Sequence, residues 1–142
     1  MPDVVAAIVA LLLADADVAA QVGARGFGGE LPADETASMP RKAFVVRASG
    51  GASLTGGSFA EVDAQRLDVF TFGATPAEAG ALSDLISLKL RRVERTVSAQ
   101  TLIHWVKSAG GYSSGREPVT EWPRTFRSFQ VLHALGPVPG VN

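Results

Sequence analysis

The chain of 142 residues contains no cysteine. Disulfide staples, thiolate nucleophiles and cysteine-ligated zinc are therefore excluded, and a cysteine-free chain fits a reducing compartment. Charge is also scarce. Thirteen basic and fourteen acidic residues make up 19% of the chain and leave a net charge of −1, so there is no global attraction to nucleic acid or to an anionic membrane. Against 46% apolar residues, that is lean in charge for a lone small domain. It points to an obligate oligomer, whose interfaces resemble a divided core. Long hydrophobic runs are missing too. The longest, Val4–Ala14, has eleven residues, whereas a bilayer span needs about 20. The only charge before it is Asp3, where a signal peptide would carry a basic region. The expectation is one soluble, unsecreted domain.

What is present begins with residues 3–22, DVVAAIVALLLADADVAAQV. The first half is apolar on every side, and a helix of that kind must be buried on more than one side. We expect a helix over residues 3–14, with Pro2 and Asp3 in its first turn, packed partly on the chain's own sheet and partly on a neighbouring copy. Residues 18–22 suit one more helical turn, stopped by Gly23. Residues 23–42 carry four glycines and two prolines and read as loop, with room for a short strand near residues 27–31. Residues 43–48, AFVVRA, read as a strand. Residues 49–60, with four glycines, read as a flexible hairpin tip or arm.

Residues 62–72 form the clearest strand, with Leu67, Val69 and Thr71 on one face and Asp68, Phe70 and Phe72 on the other. Thr75-Pro76-Ala77-Glu78 is a capping box with proline at the first helical position. The helix it opens is predicted to run to about Val93, with Leu82, Leu85, Ile86, Leu90 and Val93 on one stripe and Lys89, Arg91, Arg92 and Arg95 clustered at its C-terminal end. Strands are expected over residues 101–107 and 124–135, with a loop at 110–115 and an extended tail at 136–142. The pattern gives an α+β fold: a mostly antiparallel β-sheet of four to five strands with two main helices on one face.

Catalytic chemistry finds little to stand on. His104 and His133 each sit on a predicted strand, without a third ligand at motif spacing, and read as packed or interface histidines. The glycines of residues 23–29 match neither dinucleotide-binding nor P-loop patterns. No G-x-S-x-G elbow occurs, and Asp63 and Asp68 fall on opposite faces of their strand. No catalytic, cofactor-binding or metal-ligating residue is assigned. The basic cluster at residues 89–95 reads as a solvated helix end, with phosphate contact as the alternative. Arg124 and Arg127, interleaved with Trp122, Phe126 and Phe129, have the composition that protein interfaces enrich. The candidate interface residues are Leu11, Leu12, Arg91, Arg92, Arg95, Trp122, Arg124 and Arg127.

The chain resembles the tail-completion, or tail-terminator, proteins of long-tailed bacteriophages and phage-like gene transfer agents. The resemblance is carried by the N-terminal helix followed by Ala14-Asp15-Ala16-Asp17-Val18 and Val22-Gly23-Ala24-Arg25-Gly26-Phe27. It continues in Pro40 ahead of Ala43-Phe44-Val45-Val46-Arg47, in Arg66-Leu67-Asp68-Val69-Phe70-Thr71-Phe72, in the Ala-rich helix from Thr75-Pro76 to Leu90, and in Arg127-Ser128-Phe129-Gln130-Val131. It implies a non-enzymatic virion protein of the tail or neck, assembled in the bacterial host cytoplasm without a membrane. Such proteins form a hexameric ring that caps the head-proximal end of the tail tube, ends tube polymerisation and offers a joining surface to the head. The implied partners are further copies of the chain, the major tail tube protein and the head–tail connector (stopper) protein, with DNA passing through the lumen without sequence readout. Two alternatives stay open: another connector component, stopper or adaptor, and a small ligand-binding or hydrolytic enzyme.

Overall fold

Asp3 and Asp15 set the start of the chain. A computed structural model describes residues 3–53 and 62–134. In it Asp3 caps α1 (Val4–Ala14), its carboxylate accepting the Ala6 N–H at 2.9 Å. Asp15 then ends α1 and caps α2 (Ala16–Val22), accepting the N–H groups of Asp17 and Val18 at 3.0 and 3.1 Å. The two helices meet at 90°, and no single helix among the described residues is long and apolar enough to cross a membrane. Gly23, at φ +61°, closes α2 in the left-handed region that glycine enters without steric cost. The acidic step in the sequence is thus a corner between two helices.

Next come β1 (Gly26–Gly28), the one-turn helix α3 (Ala33–Thr36), β2 (Ala43–Ser53), β3 (Val62–Phe72), α4 (Pro76–Arg91), β4 (Glu94–Ser98), β5 (Thr101–Arg116) and β6 (Pro123–Ala134). Thr75 caps α4 by accepting the Glu78 N–H at 3.2 Å, with proline at the start of the helix. The strands form one six-stranded sheet in the order β1-β2-β3-β6-β5-β4. Every pairing is antiparallel except β1 with β2. The architecture is the α+β expected, with six strands rather than four to five. The added strand is β4, joined to β5 by a tight turn at Ala99 and Gln100, both at positive φ.

Residues 110–115 are strand, not loop. β5 runs on to Arg116 against β6, absorbing a register shift between Ser108 and Tyr112 with Gly110 at φ +90°. β2 likewise continues past residue 48 to Ser53. The remainder of the expected arm (54–60), the expected tail (136–142) and Pro2 lie outside the described residues.

The helix-facing side of the sheet supplies Phe44, Val46, Leu67, Val69, Ile103, Phe129 and Val131 to a core shared with Ile8, Leu12, Val18, Val22, Ile86 and Leu90. Fully burying each such side chain contributes about 1.5–3 kcal/mol. The sheet curls, so that α1 touches β1 and β2 at one edge and β4 at the other. On the first side Val5 and Val9 lie against Gly28, and Leu13 lies against Gly26. On the second side Ser98 Oγ donates to the Ala7 carbonyl at 2.7 Å. Within α1 only Ala6, Ala10 and Ala14 are exposed. Burial inside the chain therefore accounts for most of the helix's apolar girth.

Candidate functional site

Two surfaces gather the candidate residues. The first is the corner where the C-terminal ends of α1 and α4 meet β4. Leu11, half-buried, lines a shallow groove there with Ala14, Asp15, Lys89, Arg92, Val93 and Thr96. Lys89 does not face solvent as one of a cluster. Its Nζ donates to Asp17 at 2.6 Å and lies 3.5 Å from Asp15, tying α2 to α4. The hydrogen bond and charge of Lys89 hold the Asp17 carboxyl below its ordinary value, and the same bond raises the Lys89 ammonium. Arg91 folds back onto Ser87 Oγ, with Nε at 3.1 Å and Nη2 at 2.9 Å. Arg92, which lines the groove, and Arg95, at the start of β4, are exposed. Leu12, one residue from Leu11, points the other way and is fully buried in the core.

The second surface is the sheet face turned away from the helices. Strand register places Arg47, Phe70, Phe126 and Ser113 in one row across β2, β3, β6 and β5 or next to it. Phe70 and Phe126 stack with centroids 5.3 Å apart, and Phe72 meets Trp122 edge-on at 6.2 Å. The guanidinium groups of Arg47 and Arg124 both lie over Phe70, at 5.6 and 5.1 Å, and the Lys107 ammonium lies 5.1 Å from the Trp105 ring centroid. Contacts of this kind contribute about 0.5–1 kcal/mol each at exposed sites. The Asp68 carboxylate on this face accepts from Ser128 at 2.6 Å and Ser49 at 3.1 Å.

The interleaved residues of β6 are not one patch. Arg124, Phe126 and Trp122 belong to the open face. Phe129 is core. Arg127 points to the helix side, where it pairs with Asp84 of α4 and covers the Tyr112 ring at 5.0 Å. Its Nε is buried without a hydrogen-bond partner. Arg47, Trp105 and Lys107 were absent from the sequence-derived set, because only strand register brings them beside Phe70 and Leu132.

His133 is buried, its Nδ1 3.1 Å from the Ala134 carbonyl. Among the described residues no group of three or more histidines, aspartates or glutamates is placed to hold a metal ion. The other displaced carboxyls do local structural work. Arg41 donates to Glu35 through Nε and Nη2, both at 2.7 Å, and holds that carboxyl below its ordinary value. Glu117 is lowered by accepting the Thr120 hydroxyl and N–H, each at 2.6 Å, within its own turn.

No protein-family model and no curated protein matches the chain. Its fold does have a counterpart. The chain superposes on one from a solved structure described as the virion of a native gene transfer agent particle, with a TM-score of 0.65 and 16% sequence identity. The match covers 90% of this chain and 92% of that one. At that identity the likeness is one of fold.

Proposed function

We propose that this chain is a non-enzymatic structural protein of a phage-type or gene-transfer-agent virion, and that within the particle it is the ring-forming tail terminator. The observation that carries the proposal is the shared fold with a chain of a gene transfer agent virion over nine tenths of both molecules. The lean charge and high apolar content fit a protein that works by association. In this reading Leu11, Arg91, Arg92 and Arg95 at the α1–α4–β4 corner, and Trp122 and Arg124 at the start of β6, meet neighbouring virion proteins. Arg127 and Leu12 support those surfaces from behind. A ring around DNA requires no base readout, since tight phosphate contacts would oppose passage.

The test is to mix the purified chain with tail tubes assembled from the major tail tube protein and to image them by electron microscopy. A terminator yields tubes of bounded length with density at one end. Unbounded tubes without terminal density overturn the tail-terminator role. Crosslinks to the portal side of the neck without tube contact would instead assign an adaptor or stopper position.

A further inference from the structure

Among the described residues, two edges of the sheet are left half covered, and the two gaps are diagonal to one another. β1 pairs with β2 only at residues 44–46, and β4 pairs with β5 only as far as Trp105. Among the described residues nothing pairs with the outer edge of β2 over residues 47–53, or of β5 over residues 107–116. The first stretch lies beside residues 63–68 of β3, towards one end of the sheet. The second lies beside residues 123–130 of β6, towards the other end.

Exposed edges are a hazard that soluble proteins blunt with lysine, proline or a covering element. Here β1 and β4 each cover one half. The uncovered stretches read RASGGAS (47–53) and KSAGGYSSGR (107–116), with basic residues only at their ends (Arg47, Lys107, Arg116) and no acidic residue or proline in either. Apart from Tyr112, residues 108–115 are glycine, alanine and serine, small enough for another backbone to approach. The strand directions also agree. Three antiparallel steps separate β2 from β5, so a second copy in the same orientation brings its β2 antiparallel to the first copy's β5. Because the free halves lie at opposite ends of the sheet, the second copy must also slide along the strands until its residue 47 stands opposite the end of β5 at residue 116; the steps left by β1 and β4 then fall at opposite ends of the joint and do not collide.

We propose that these edges are two halves of one heterologous interface: residues 47–53 of one copy add as an antiparallel strand to residues 107–116 of the next. The partner is a second copy of this chain. A head-to-tail contact of this type closes into a ring when its rotation closes. Closure alone rests on the ring reading above, while the pairing of edges rests on the strand geometry.

The cysteine-free sequence makes the test clean. Arg47→Cys or Ala48→Cys is combined with each of Ser114→Cys and Arg116→Cys in the full chain, and oxidised where light scattering shows association or on tail tubes. Within one copy the two strands are about 14 Å apart by strand spacing, beyond the roughly 7 Å reach of a disulfide, so any link joins two copies. The expected result is a covalent ladder from at least one double variant, no link from any single variant alone, and only dimers from a mixture of two single variants. Ser113→Pro and Ser114→Pro provide a second measurement. Their N–H groups alternate between β6 and the open edge, so one of the two keeps the parent melting temperature and loses association. Association without a ladder from any pair overturns the edge pairing and leaves the ring reading standing. Equal dimer yield from one single variant alone overturns it in favour of a two-fold contact, and links to the tube protein overturn it in favour of that partner. A chain monomeric at all soluble concentrations and on tubes overturns both readings.

Discussion

Gly26 shows how closely single positions are fitted. A Cβ there would stand 2.3 Å from the Phe44 ring and 2.9 Å from the Leu13 side chain, so Gly26→Ala must push β1 away from α1. We expect a loss of about 1–3 kcal/mol, measured by denaturant unfolding. Leu12 has no exposed surface. Leu12→Ala should cost about 2–5 kcal/mol through the cavity it leaves, and Leu12→Asp should prevent stable folding by burying an unpaired charge. Glu35 gives a pH signature. Its folded carboxyl is lowered by Arg41, so the pair stabilises the fold above the ordinary glutamate value of about 4.3 and loses that contribution as pH falls through the lowered folded value. The melting temperature of the parent should therefore fall more steeply on acidification than that of Glu35→Gln.

At the scale of elements, Thr75→Ala should cost about 1 kcal/mol by leaving the Glu78 N–H without its cap, and the same unfolding measurement checks it. This helix start was legible because proline and threonine act locally. The alternation of β3 was legible for a similar reason, with Leu67, Val69 and Thr71 all buried on one side. β4 was not legible. Five residues, ERTVS, with a turn at Ala99 and Gln100 that contains no glycine, carry no local strand or hairpin signal. The glycine-rich half of β5 misread as loop because its order comes from pairing with β6 rather than from its own side chains. The candidate surfaces were legible in part. The aromatic and basic residues of β6 stood out by composition. Their division between two faces, and the meeting of Arg47 and Arg124 over Phe70, depend on register between strands far apart in sequence.

For the whole molecule, the corner of α1, α4 and β4 can be separated from the fold. Arg92 and Arg95 are exposed, so Arg92→Glu with Arg95→Glu should leave the melting temperature nearly unchanged while reducing capping of tail tubes, counted as the fraction of tubes with terminal density. Equal capping by the parent and the double variant would remove this corner from the proposed contact surface.

The path of α1 across the curled sheet has a mechanical consequence. One helix touches β1 at one margin and β4 at the other, through Val5, Val9 and Leu13 on one side and the Ala7 carbonyl on the other. It acts as a tie rod across the mouth of a C. A pull that spreads the two margins loads the side chains of this helix as well as the strand ladder. Resistance to opening therefore depends on a segment that forms no strand pairing of its own.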